Sequence, residues 1–185
     1  IETTQTGEKN EDKAREFKLK NVDKQTVCHA DDKSAKGFIV VFTCNHCPFS
    51  KAYEDRIIAI QNKYEKLGYP VVAINPNDPI TVEEDSFDNM KIRAKEKNFT
   101  FAYLADDTQE IAKSYGAART PHVFVLRKQN ADLVVSYIGA IDDNTNEPAA
   151  VKNKYLETAM DELLANKPVS NSFTKAIGCT IKWKK

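Results

Sequence analysis

No stretch of about 20 apolar residues occurs anywhere in this 185-residue chain, so nothing in it is suited to cross a bilayer as a helix. Neither sign of charge is in excess. Lys plus Arg and Asp plus Glu stand at 27 each, and no net field draws the chain toward nucleic acid or a membrane surface. Partner choice therefore rests on local shape and chemistry. The four cysteines, Cys28, Cys44, Cys47 and Cys179, are too few for a disulfide scaffold at this length, and they allow three pairings. Repeats and low-complexity tracts are absent. The first residue is Ile1 rather than Met, which reads as a processed or trimmed N-terminus whose targeting signal has gone from view.

With 41% hydrophobic residues, the chain can bury one ordinary core. Residues 1–16 are polar, charged and without periodicity, and read as a flexible arm. Residues 17–166 carry the patterned segments, and 167–185 form a tail. Alternation over 17–22 and a second short run over 25–28 predict a leading β-hairpin. The continuous apolar runs 38–42 and 71–74 suit buried parallel strands. Between them Tyr53, Ile57, Ile60, Tyr64 and Leu67 draw one apolar stripe, which Gly68 is placed to end. The span 76–107 reads as an insertion with a helix over 85–97. A short helix follows over 108–115, with Thr108 or Asp107 as N-cap and Gly116 past its end. Runs 122–126 and 133–138 predict two antiparallel strands, and 151–164 a closing helix.

The most informative feature is Cys44-Asn45-His46-Cys47-Pro48, where the first apolar strand gives way to a helix. Two cysteines three apart at such a joint look like a redox pair. A thiolate at the first turn meets free N–H groups and the positive end of the macrodipole. Its pKa is expected to fall from ~8.5 to roughly 3.5–7.5, with His46 adding to the effect.

Together with Thr120-Pro121 before the antiparallel strands, this motif resembles the active site of the thioredoxin fold over residues 17–166. More narrowly, residues 43–49, 53–56, 72–75 and the Gly178-Cys179-Thr180-Ile181-Lys182-Trp183 tail resemble bacterial redoxin-type proteins of the alkyl hydroperoxide reductase and thiol-specific antioxidant group. The resemblance implies a thioredoxin-like α/β fold with a central mixed sheet, an N-terminal hairpin and a helical insertion. It implies a thiol–disulfide oxidoreductase in which Cys44 attacks, Cys47 resolves, His46 tunes the couple, and a cis Thr120-Pro121 bond faces the cysteines. The Asn-His dipeptide resembles oxidising members and predicts a potential above that of reducing thioredoxins. Expected partners are protein thiols or disulfides and a redox partner protein, without nucleic acid and without a cofactor. An exported location, periplasm or cell envelope, is expected, with the cytoplasm as the alternative.

Two departures stand out. The buried acid of reducing thioredoxins has no counterpart, because its position is Phe38 and the run to Phe42 offers no carboxylate. Cys47 thus lacks an evident base. The Thr and upstream Pro that peroxiredoxins place before a single peroxidatic cysteine are not matched by Thr43, so thiol peroxidase is the alternative activity. A copper-binding carrier is a further alternative, with His122 or His29 as the remote ligand. The plainer readings are a structural thiol pair at 44 and 47, a solvated His46, and a buried, satisfied His122. Arg119 reads either as a thiolate partner or as plain surface. Cys28 and Cys179 read as free thiols, with a bridge between them as the alternative. Phe99, Phe101 and Tyr103 read as core.

Overall fold

The structure, a computed structural model, describes residues 10–185. The elements are β1 (Lys18–Asn21), β2 (Thr26–Cys28), β3 (Gly37–Phe42), α1 (Pro48–Tyr64), β4 (Val71–Asn75), α2 (Phe87–Glu96), β5 (Ala102–Ala105), α3 (Glu110–Tyr115), β6 (Arg119–Thr120), β7 (His122–Gln129), β8 (Asp132–Gly139), α4 (Tyr155–Leu164) and β9 (Cys179–Thr180). Seven strands form one mixed sheet in the order β2-β1-β5-β4-β3-β7-β8, and β6 pairs with β9 apart from it.

β3 lies inside the sheet, between β4 and β7, where its residues, all apolar or glycine, are all buried. It pairs parallel with β4 and antiparallel with β7. The alternation of side chains along a strand sends Ile39 and Val41 into one core, with Tyr53, Ile57, Tyr64 and Leu156 from α1 and α4. Phe38, Val40 and Phe42 go into the other, with Ile111, Tyr115 and Phe124. Phe42, Tyr115 and Phe124 meet edge to face, at centroid separations of 5.5 to 5.7 Å. Truncating such a buried ring to alanine costs about 3–5 kcal/mol.

The expected hairpin, central β-α-β unit and antiparallel β7–β8 pair are all present. α1 runs into a 3-10 turn over Glu65–Leu67, and Gly68 closes it at φ +95°, a conformation that glycine adopts without strain. The helical insertion is α2, and the span 76–107 also contains β5, a four-residue strand parallel to β4 that the sequence reading did not separate. α3 starts at Glu110, later than expected. The Asp106 carboxylate accepts from the N–H groups of Ile111 and Ala112, a service expected from Thr108 or Asp107. α4 starts at Tyr155 rather than 151, because Asp143 takes the N–H groups of Lys152 and Asn153.

Residues 1–9 of the polar arm lie outside the described residues. From Glu11 to Ala14 the backbone bonds to Leu133 and Val135 of β8. Farther along β8, Ile138 bonds to Ser172 and Thr174. The outer edge of the sheet is thereby covered by the chain's own two ends.

Candidate active site

The site is built where β3 hands over to α1. Phe42 ends the strand, Thr43 donates to the Ile74 carbonyl at 2.9 Å, and the chain turns through Cys44 to Cys47. Cys47 is the N-cap residue, and its carbonyl accepts from Lys51 to open the helix. Pro48 stands at the first helical position, where its missing N–H costs nothing.

Cys44 is a free thiol and only 2% exposed. Its Sγ lies 3.4 Å from the Thr120 hydroxyl and 3.6 Å from that of Ser50, and it accepts the Cys47 backbone N–H. Thr120-Pro121 is cis, as expected. The Thr120 carbonyl lies 3.5 Å from Cys47 Sγ, so one residue touches both motif sulfurs.

Cys47 is bonded to Cys179, across 132 residues of chain. This corrects the expectation that Cys179 is a free thiol, and it excludes the Cys28–Cys179 bridge in this state. Cys28 stays free beside His29, at the far end of the hairpin. The tail reaches the site because β9 pairs antiparallel with β6, setting Thr120 opposite Cys179. Gly178 makes that approach possible, since a Cβ there would stand 2.2 Å from the Thr120 carbonyl oxygen. The tail is legible in sequence as a motif, but nothing in its spacing places Cys179 at the cysteine pair.

A buried acid does stand at the site: Asp85, from the 3-10 turn ahead of α2. Its side chain is fully buried. One carboxylate oxygen accepts from the Asn45 backbone N–H at 2.7 Å and from the Asn75 amide at 3.1 Å. The other accepts from the Asn77 amide at 2.9 Å and from His46 Nδ1 at 2.5 Å. A carboxylate can only accept here, so Nδ1 carries the hydrogen of this bond. Asn45 is held in turn by the Tyr103 hydroxyl, which donates to its Oδ1 at 2.7 Å. Tyr103 was read as core. It is buried in the core, and its hydroxyl also supports the site; burial pushes its pKa well above the usual value, so it stays a donor.

These surroundings reverse the expected shift at Cys44. Burial pushes its thiol up, the Asp85 charge adds to that, and the bonds from Thr120, Ser50 and the Cys47 N–H oppose it without winning. The helix start alone had suggested a lowered value. Cys44, His46 and Asp85 each bring one donor atom within 4.8 Å of the others. Both Asp85 oxygens are already committed to four donors, so the trio is better suited to orienting an imidazole beside a thiol than to holding a cation. Neither His122 nor His29, the candidate remote copper ligands, belongs to that trio. His122 accepts the Ala118 N–H at 3.2 Å and tilts against Phe124, and burial pushes it down to about 4. It is the buried, satisfied histidine that was expected. Arg119 is half-buried and pairs through its backbone with Thr180.

The AhpC/TSA family model matches residues 11–135. Among solved structures, one described as an uncharacterized conserved protein from Geobacillus kaustophilus is 39% identical, with a TM-score of 0.87, covering 95% of this chain and 93% of that one. A hypothetical protein from Sinorhizobium meliloti 1021 is 30% identical, with a TM-score of 0.85 and 95% of each chain covered. Peroxidoxin BcpB from Mycobacterium tuberculosis shares the fold at 15% identity and a TM-score of 0.62, over 85% of this chain and 95% of that one. No curated protein matches the chain.

Proposed function

The chain belongs to the AhpC/TSA family, and on that premise we propose that it is a thiol–disulfide oxidoreductase that exchanges disulfides with protein partners through Cys44 and Cys47. The observation that carries this reading is the meeting of a reduced thiol and a disulfide at one residue. Cys44 Sγ and the Cys47–Cys179 bond both lie against Thr120, beside the cis proline. Thiol–disulfide exchange needs a thiolate, a disulfide in reach and a way to move one proton. His46, held through Nδ1 by Asp85, supplies the last. In this reading Cys44 is the attacking sulfur, Cys47 the sulfur that changes partner, and Thr120-Pro121 the wall that aligns them. An exported location belongs to the same proposal, since a disulfide such as Cys47–Cys179 persists in oxidising compartments.

Trapping tests the roles. With Cys28 and Cys179 replaced to silence the other thiols, Cys47→Ser should accumulate mixed disulfides with a protein substrate through Cys44, and Cys44→Ser should accumulate none. Equal trapping by both would reject the assignment. A thiol peroxidase is the second reading, because a sulfenic acid at Cys47 condensing with the Cys179 thiol would leave the disulfide that is seen. Thiol loss within seconds at micromolar hydrogen peroxide would favour it over exchange.

A further inference from the structure

We propose that Cys179 is a third redox-active cysteine of the site, a resident relay thiol, and that Cys47 passes its bond back and forth between Cys179 and Cys44. The proposal rests on the reading of the chain as a thiol–disulfide exchanger and adds to it the route by which the disulfide moves inside the chain.

Three placements carry it. First, Cys44 and Cys47 are both in position to bond each other. They stand three residues apart in the turn that leads into α1, and both sulfurs lie against Thr120. The Cys47 N–H already points at Cys44 Sγ. Second, Cys47 and Cys179 are bonded. Third, the tail does not depend on that bond to stay where it is. Ile181 is buried in the core and its N–H donates to the Ala118 carbonyl at 3.2 Å. The Lys182 carbonyl accepts from Asp78 at 2.9 Å and from the Gln109 amide at 3.0 Å, and its N–H donates to Asn77 at 2.8 Å. Lys184 donates to Gln109 at 3.0 Å. A disulfide that merely stapled the tail would duplicate these bonds. Opening it leaves Cys179 two residues from a buried anchor, still opposite Thr120, and so at high effective concentration for closing again.

The step balances without an outside reagent. The Cys44 thiol gives its proton to His46, whose Nδ1–H is held by Asp85. The thiolate attacks Cys47 Sγ, a Cys44–Cys47 bond forms, the Cys47–Cys179 bond breaks, and Cys179 leaves as a thiolate that takes up one proton from solvent as His46 returns one to it. One disulfide and one thiol stand on each side, and no electrons enter or leave. The exchange moves the disulfide to the buried pair and the thiol to Cys179, the least buried of the three sulfur-bearing residues. A partner protein therefore meets Cys179 before it meets Cys44 or Cys47.

The test is disulfide mapping of the full wild-type chain. The oxidised protein is equilibrated in glutathione buffers of several thiol-to-disulfide ratios, quenched with acid, alkylated and digested. Two single-disulfide species are expected, Cys47–Cys179 with Cys44 alkylated and Cys44–Cys47 with Cys179 alkylated. Because their interconversion is redox-neutral, their ratio should stay constant while the buffer poise changes. Cys179→Ser should hold Cys44–Cys47, and Cys44→Ser should lose every single-disulfide species in which Cys179 is alkylated. If Cys47–Cys179 is the only disulfide at every poise in the wild-type chain, the relay is overturned, and that result needs no variant to fold. Failure of the exchange reading looks different: both disulfides still map, but no protein dithiol is oxidised or trapped.

Discussion

Replacing Asp85 with Asn keeps the shape of the buried side chain and removes its charge, which isolates what that charge does to Cys44. The two groups and His46 lie within 4.8 Å of one another. At that separation and an effective dielectric constant of about 20, two unit charges repel by about 3.5 kcal/mol. Four hydrogen bonds spread the Asp85 charge, and taking half of the repulsion leaves about 1.7 kcal/mol, enough for a rise in thiolate population on the order of tenfold at neutral pH. The sign follows from what surrounds Cys44: burial raises its pKa most, and the Asp85 charge raises it further. Because Asp85 also steadies any positive charge on His46, the comparison is repeated in a His46→Gln chain, where only the direct repulsion is left. The assay is the pH dependence of Cys44 alkylation, read as the midpoint of the profile so that the slow access of a buried thiol cancels. The midpoint should move to lower pH in Asp85→Asn in both backgrounds. The variant should also be less stable by about 1–3 kcal/mol, since whichever oxygen becomes the amide nitrogen leaves its two donors without an acceptor. A midpoint that stays put or moves to higher pH refutes the claim that Asp85 holds Cys44 protonated.

His122 makes the fold sensitive to acid. Burial lowers its folded pKa to about 4 from an ordinary 6.5, so the unfolded chain binds the proton more readily. Stability is then fully present above the unfolded value and is lost as pH falls toward the folded one, by roughly 3 kcal/mol in all. Denaturant titrations at several pH values between 7 and 4 should show that loss, and His122→Gln should flatten it; a parallel pH dependence in the variant would assign the loss to other groups. Arg56 ties the segment after β8 to α1: Nη1 donates to Asp142 at 2.8 Å and to the Asn144 carbonyl at 2.6 Å, and the guanidinium lies 3.9 Å from the centre of the Tyr53 ring. Arg56→Ala leaves the buried Asp142 carboxylate without its cation and should cost about 3 kcal/mol, or roughly 6–12 °C in Tm for a chain of this size. A thermal shift under 3 °C would show the pair to be dispensable.

The frame of the fold was legible because its signals are local. The all-apolar β3, the apolar stripe of α1 that ends at Gly68, and the cysteines at their joint are properties of short windows, and hydrophobic periodicity reports such windows directly. β5 escaped because four residues, Ala102–Ala105, are too few for a period to show. At the site, Cys44, Cys47, His46 and Thr120-Pro121 are read from one motif and one dipeptide, whereas Asp85 comes from 38 residues past Cys47 and Cys179 from 132 past it. No local pattern marks either, since both reach the site through tertiary contacts: a carboxylate gathering three Asn donors and a two-strand ladder closed by Gly178. The direction of the Cys44 shift failed for the same reason. A helix start is visible in sequence, but the burial and the neighbouring charge that outweigh it are not.

Both late arrivals come from segments outside the β-α-β and β-β-α frame, the insertion before α2 and the C-terminal tail, and those two segments are joined to each other. Asp78 donates to the Lys182 carbonyl and Lys182 donates back to Asn77; Asn77 in turn donates to Asp85, and Asp85 holds His46. A continuous run of hydrogen bonds thus leads from the tail that carries Cys179 to the imidazole beside Cys44. The acid–imidazole pair and the tail that carries Cys179 are thus joined by hydrogen bonds. Loosening the tail at Lys182 would remove one partner of Asn77, whose amide also binds Asp85 beside His46. The buried acid beside Cys44 and the seated tail meet at Asn77, whose side chain donates to Asp85 and accepts from Lys182.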